Sequence, residues 1–342
     1  MFNLKLSHFL PPELRTDVAI DKLYEIGLIV KPLTTQSTTR RHWISHPITN
    51  ILIFIYYIFM FSIFVVNNNH NKRLVIILGD FPSLYGVGIY LNLPGLFCTI
   101  FNLLALSLYY YNHWKGIKPT FLRVFAMLSG LVTPNSVGLT DTQLVYKFIR
   151  KSKIIFKIIA FIHNKTLPLM GFIAFVAYIC FTTLFDTLVF GSIYTLTFGL
   201  LCNAVFRLLL WQMTYFYLLC DYLCIKIKDI QKILIQKKRK NLRHILLKID
   251  KLCAEINDYN STYWCKYLAL VWFIIGLIAV SVLYVVTFLD LSPIPKLILI
   301  YALLFLVINI TVIMMCASAI SFNFGKLYVK LNHLYINLTI NI

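Results

Sequence analysis

Histidine and cysteine are the first residues to weigh for acid–base, nucleophilic or metal chemistry, and the chain has eight of each. His8, His42, His46, His70, His113, His163, His244 and His333 stand singly, with no second imidazole or carboxylate at ligand spacing, so they read as solvated side chains. Cys220 and Cys224 lie one helical turn apart, but nothing beside them completes a metal site. They read as small apolar residues on a helix face. No HExxH, GxSxG, phosphate-loop lysine or GxGxxG occurs. Neither an enzyme, a metal nor a cofactor is expected.

Two features remain that suit binding rather than catalysis. Arg207 stands inside an apolar run. An arginine at the centre of a membrane helix costs about 2.5–3.5 kcal/mol, so it must face protein or water. Either it lines a ligand cavity or conduction route, or it is paired within the bundle, with Asp186 as the partner in reach. Polar and aromatic residues also punctuate the outer halves of the apolar runs: Tyr85, Tyr90, Asn92, Phe181, Tyr194 and Tyr284. A small-molecule pocket between helices is built from such residues. With Arg207 they form the candidate ligand-binding set.

The elements that must hold these residues follow from composition. The 342 residues carry 32 Lys+Arg against 13 Asp+Glu, a net charge of +19, yet 59% are hydrophobic and 15% aromatic. Mean hydropathy is +0.77. Too few polar residues exist to cover a soluble domain, and a nucleic-acid binder would not be this apolar. The expectation is an all-α, polytopic helical membrane protein, with the lipid bilayer and not nucleic acid as its partner.

A crossing needs about 20 apolar residues. Six runs qualify, at 48–66, 84–111, 167–190, 193–219, 268–289 and 297–319, with Gly191-Ser192 as the turn between the third and fourth. The stretch 74–91, broken by Gly79-Asp80-Phe81-Pro82, reads as interfacial. Residues 1–47 contain no apolar run, so no signal peptide is expected. They form an N-terminal segment, 48–319 a bundle with helical loops at 112–165 and 220–266, and 320–342 a C-terminal helix.

Cations orient the bundle. The N-terminal segment, the two long loops and the tail together hold 28 Lys and Arg, against three on the opposite side. Both termini are therefore expected in the cytoplasm of a multi-pass plasma-membrane protein. The sequons at Asn164, Asn260 and Asn337 then fall on the cytoplasmic side and should carry no glycan.

The long loops carry helical periodicity. Thr140 with Gln143 reads as a capping box before a helix over 140–163. The segment 225–262 reads as a helix leaving the fourth span and returning toward the fifth. Such basic amphipathic helices suit anionic lipid, mutual packing into a subunit-contact layer, or both.

This layout resembles the arthropod gustatory receptors, relatives of the insect odorant receptors. The resemblance is carried by the charge layout, by Leu252-Cys-Ala-Glu-Ile-Asn-Asp-Tyr-Asn260 ahead of the aromatic fifth span, and by Phe324-Gly-Lys-Leu-Tyr-Val-Lys-Leu-Asn-His-Leu334 after the sixth. That family has seven spans and a Thr-Tyr, five-residue apolar, Gln-Phe element in the seventh. This chain ends at Ile342, where the seventh would begin, and lacks that element, so it reads as divergent or truncated. The resemblance implies a ligand-gated, non-selective cation channel for a small-molecule tastant or odorant, assembled as a homo- or heterotetramer with related subunits. A transporter and a non-conducting accessory membrane protein are the alternatives.

Overall fold

The computed structural model describes residues 51–52, 54–56, 58, 89–114, 122–128, 133–139, 141–179, 183–205, 209–210, 212–236, 242–290 and 293–340. These residues are almost entirely helical, and no strand occurs among them. The helices are α1 (Ile89–Trp114), α2 (Leu122–Leu128), α3 (Thr142–Ile179), α4 (Leu184–Asp186), α5 (Ser192–Val205), α6 (Gln212–Gln236), α7 (Leu242–Tyr259), α8 (Cys265–Phe288) and α9 (Pro293–Ile340).

Three helical stretches among the described residues are long and apolar enough to cross a membrane, not six: Leu184–Cys202, Arg243–Phe288 and Leu299–His333. The first expected span and the 74–91 segment lie largely or wholly outside the described residues. The second falls on α1, a 26-residue helix whose described apolar stretch includes Leu93–Ala105. Pro94 removes one N–H from the ladder of α1. The fifth and sixth expected spans coincide with α8 and the first half of α9.

The turn between the third and fourth expected spans is misplaced in the sequence reading. α3 is described as far as Ile179, and the next helix starts after an extended Thr183 rather than at Gly191-Ser192. Local capping explains the shift. The Thr183 hydroxyl accepts from the Asp186 amide at 3.3 Å and donates to its carboxylate at 2.7 Å. This Thr-x-x-Asp box starts α4, and helical structure then runs through a π-turn at Thr187–Gly191 into α5. Gly191 is buried mid-helix, not exposed in a turn.

At its other end α3 begins as expected, with a different cap. Asp141 Oδ1 accepts from the Gln143 and Leu144 amides at 2.9 and 3.2 Å. Its Oδ2 accepts from Lys232 Nζ at 2.6 Å. Thr140 lies outside the described residues. An aspartate one position later reaches the same orphan amides and gains a cation as well.

α6 is the central helix. Buried residues line every side of it, from Gln212 to Leu234, and it packs against α3, α7 and most extensively α9. α8 packs on α1 and α9, while α3 packs on α5. An aromatic knot ties the centre together: Trp264 meets Phe216 of α6 at 5.1 Å, and Tyr267 stands edge-on to Phe101 of α1 at 6.4 Å. A π-turn at Asn260–Trp264 joins α7 to α8 and turns Tyr263 and Trp264 inward.

Candidate functional site

The expected ligand-binding residues divide by placement. Tyr85, Phe181 and Arg207 lie outside the described residues, so the pairing of Arg207 with Asp186 does too. Tyr90 and Asn92 fall in the first turn of α1. Tyr194 is half-buried on α5 and stacks on Phe198 at 6.0 Å. Tyr284 on α8 is 46% exposed and leans on Phe288 at 5.1 Å. Each of these two ring contacts lies within a single helix.

A residue the sequence reading passed over is better placed inside the bundle. Asn102 of α1 is 1% exposed, and neither its Oδ1 nor its Nδ2 has a hydrogen-bond partner among the described residues. Thr99, one turn earlier, is equally buried, but its hydroxyl is satisfied by the Leu96 carbonyl at 2.7 Å. Burying an unpartnered amide costs about 1–3 kcal/mol, so Asn102 presents a donor and an acceptor to whatever fills that position. A single Asn in an apolar run is the only sequence signal of this.

The second polar centre lies among α6, α7 and the turn before α3. Glu255 accepts from Lys226 Nζ at 2.5 Å, from the Tyr222 hydroxyl at 3.1 Å and from the Tyr259 hydroxyl. Tyr222 also lies 2.8 Å from the Val137 carbonyl, and the Lys226 ammonium sits 5.0 Å from the centre of its ring. Lys226 and Glu255 are 15% and 22% exposed. Burial, then the Glu255 charge, push the Tyr222 hydroxyl far above its usual pKa, which keeps it a donor. Gly138, at φ 81°, lets the turn pass over Lys226, and a Cβ there would come within 3.3 Å of Lys226 Cε. Every polar group of this cluster is committed to another, so it acts as a latch rather than a reactive site.

Cys220 and Cys224 are buried on α6, and Cys224 Sγ accepts from Asn323 of α9 at 3.5 Å. Gln231 reaches the Asn323 carbonyl at 3.0 Å. No group of three or more His, Cys, Asp or Glu suited to a metal occurs among the described residues. No family model matches the chain, and no curated protein or solved structure matches it.

Proposed function

We propose that the chain is a chemosensory, gustatory-like receptor subunit of the plasma membrane, a ligand-gated non-selective cation channel opened by a small molecule bound in the outer half of its bundle. One observation carries this reading. Two helical rods run without interruption from apolar to charged sequence: Arg243–Phe288, and the 48-residue α9. At ~1.5 Å per residue α9 is ~72 Å long, more than twice the hydrocarbon thickness. The Glu255–Lys226–Tyr222 latch clamps the charged end of the first rod to α6. Such rods carry displacement between a ligand among the spans and a layer of helices outside them. The cation asymmetry supports a cytoplasmic N-terminus, and the resemblance supplies the tetramer and the class of ligand.

The test is electrophysiological. Cells expressing the full chain, alone and with related subunits, are perfused with a tastant and odorant panel. A ligand-evoked cation current is expected. Solute uptake without current would replace the channel by a transporter, and an extracellular N-terminal tag would overturn the orientation.

A further inference from the structure

One face of α3 changes chemistry along its length without leaving the surface. Lys157, Phe161 and Lys165 follow one another at four-residue intervals, so they stand in line one turn apart. The line continues through Leu169, Phe172, Val176 and Ile179. All seven side chains are exposed, Phe161 by 64% and Phe172 by 66%. No hydrogen bond or ion pair engages Lys157 or Lys165 among the described residues, in contrast to Lys151, which pairs with Asp221 at 3.1 Å. The sequence has no Asp or Glu between Asp141 and Asp186, so nothing along this helix offsets the two cations.

Dimensions identify what fits. Lys157 and Lys165 are ~12 Å apart along the axis, with an aromatic ring between them. The apolar ridge from residue 169 to 179 is ~15 Å long, the depth of one leaflet of a ~30 Å hydrocarbon core. α3 packs on α5, which belongs to the candidate crossing Leu184–Cys202, so the ridge stands beside a helix suited to the bilayer. A peptide or a soluble anion would use the lysines and leave the ridge in water. A neutral lipid would use the ridge and leave the lysines without a counter-charge.

We propose that this face of α3 is a binding site for an anionic phospholipid, with the headgroup between Lys157 and Lys165 over Phe161 and one acyl chain along Leu169, Phe172, Val176 and Ile179. The site depends on the chain lying in a membrane and is independent of its being a receptor or channel.

Full-length protein in neutral detergent is offered equal amounts of phosphatidylserine and phosphatidylcholine, and retained lipid is read by native mass spectrometry. Phosphatidylserine is expected to be retained several-fold over phosphatidylcholine. Lys157→Gln with Lys165→Gln should remove that preference, each cation contributing up to about fivefold. Lys326→Gln with Lys330→Gln on α9 removes the same charge elsewhere and should change nothing. Equal retention of the two lipids by the unaltered protein, or equal losses in both double variants, would overturn the site. Phe161→Ser with Phe172→Ser should also weaken retention. Unchanged retention there would reduce the site to a phosphate contact and refute the lipid.

Discussion

Removing Glu255 tests whether the latch holds the two charged helices together. Three donors converge on this carboxylate: Lys226 Nζ and the hydroxyls of Tyr222 and Tyr259. Breaking a fully buried ion pair from one side costs about 3–5 kcal/mol, because the surviving charge is left uncompensated. Lys226 and Glu255 retain 15% and 22% exposure, so water reaches both and the lower end applies. Glu255→Leu should therefore cost about 3 kcal/mol. Lys226→Met leaves the carboxylate its two tyrosine donors and should cost about 2 kcal/mol. Removing both charges leaves neither stranded, so the double variant should cost only about 1–2 kcal/mol, well below the sum. At roughly 2 °C per kcal/mol for a chain of this size, the Glu255 variant should melt about 6 °C lower and the double variant about 3 °C lower. The assay is thermal unfolding of the full chain in detergent, followed by size-exclusion fluorescence. A Glu255→Leu midpoint within about 1 °C of the unaltered protein, or strictly additive losses, would refute the latch.

Further outcomes bear on the same architecture. Gly138→Ala should lower the melting midpoint through about 1 kcal/mol of left-handed backbone strain, increased by the Cβ pressing on Lys226, while Gly138→Asn should cost less. The Asp141–Lys232 pair gives a pH dependence with a definite sign. The Lys232 hydrogen bond and the Leu144 amide hold the Asp141 pKa below its ordinary 3.8, so its contribution is complete above that value and lost as pH falls below it. The Asp141 carboxylate likewise raises Lys232 above 10.5, so that contribution is complete below 10.5 and lost above it. The difference in thermal midpoint between the unaltered protein and Asp141→Asn should stay constant between those two values and shrink outside them. Asn102→Leu should raise the midpoint, since an unpartnered buried amide costs about 1–3 kcal/mol, and lowering it would show that the amide is satisfied in the working protein. Asn164, Asn260 and Asn337 should stay unglycosylated in a secretory host, so that peptide N-glycosidase leaves gel mobility unchanged.

What could be read in advance was local. Alternating cations and apolar residues from Leu144 onward mark the start of α3 to within two residues, because a 3.6-residue period needs no tertiary partner to be visible. The fifth and sixth apolar runs also survive as helices in nearly the expected places. The turn was lost to a stronger signal on the eye than on the chain. Gly191-Ser192 has turn composition, but Thr183 and Asp186 satisfy the amides that open a helix, and a glycine inside a packed helix can instead serve close approach. The candidate pocket was legible only as composition. In a chain with 15% aromatics, residue type does not say which rings face inward. Asn102 went unnoticed because its importance lies in what surrounds it.

Helicity, the absence of recognisable catalytic motifs, and the separation of cations from apolar runs are properties of neighbours along the chain, and the sequence determined them alone. Tertiary structure decided that helix runs on through Gly191-Ser192, and Thr183 caps the start of that helix through the Asp186 amide. It also made α6 a buried centre. Above all it brought Val137, Tyr222, Lys226 and Glu255 together across up to 118 positions of sequence. Periodicity states that a helix has an inner face, but which inner faces meet depends on the packing of all of them at once.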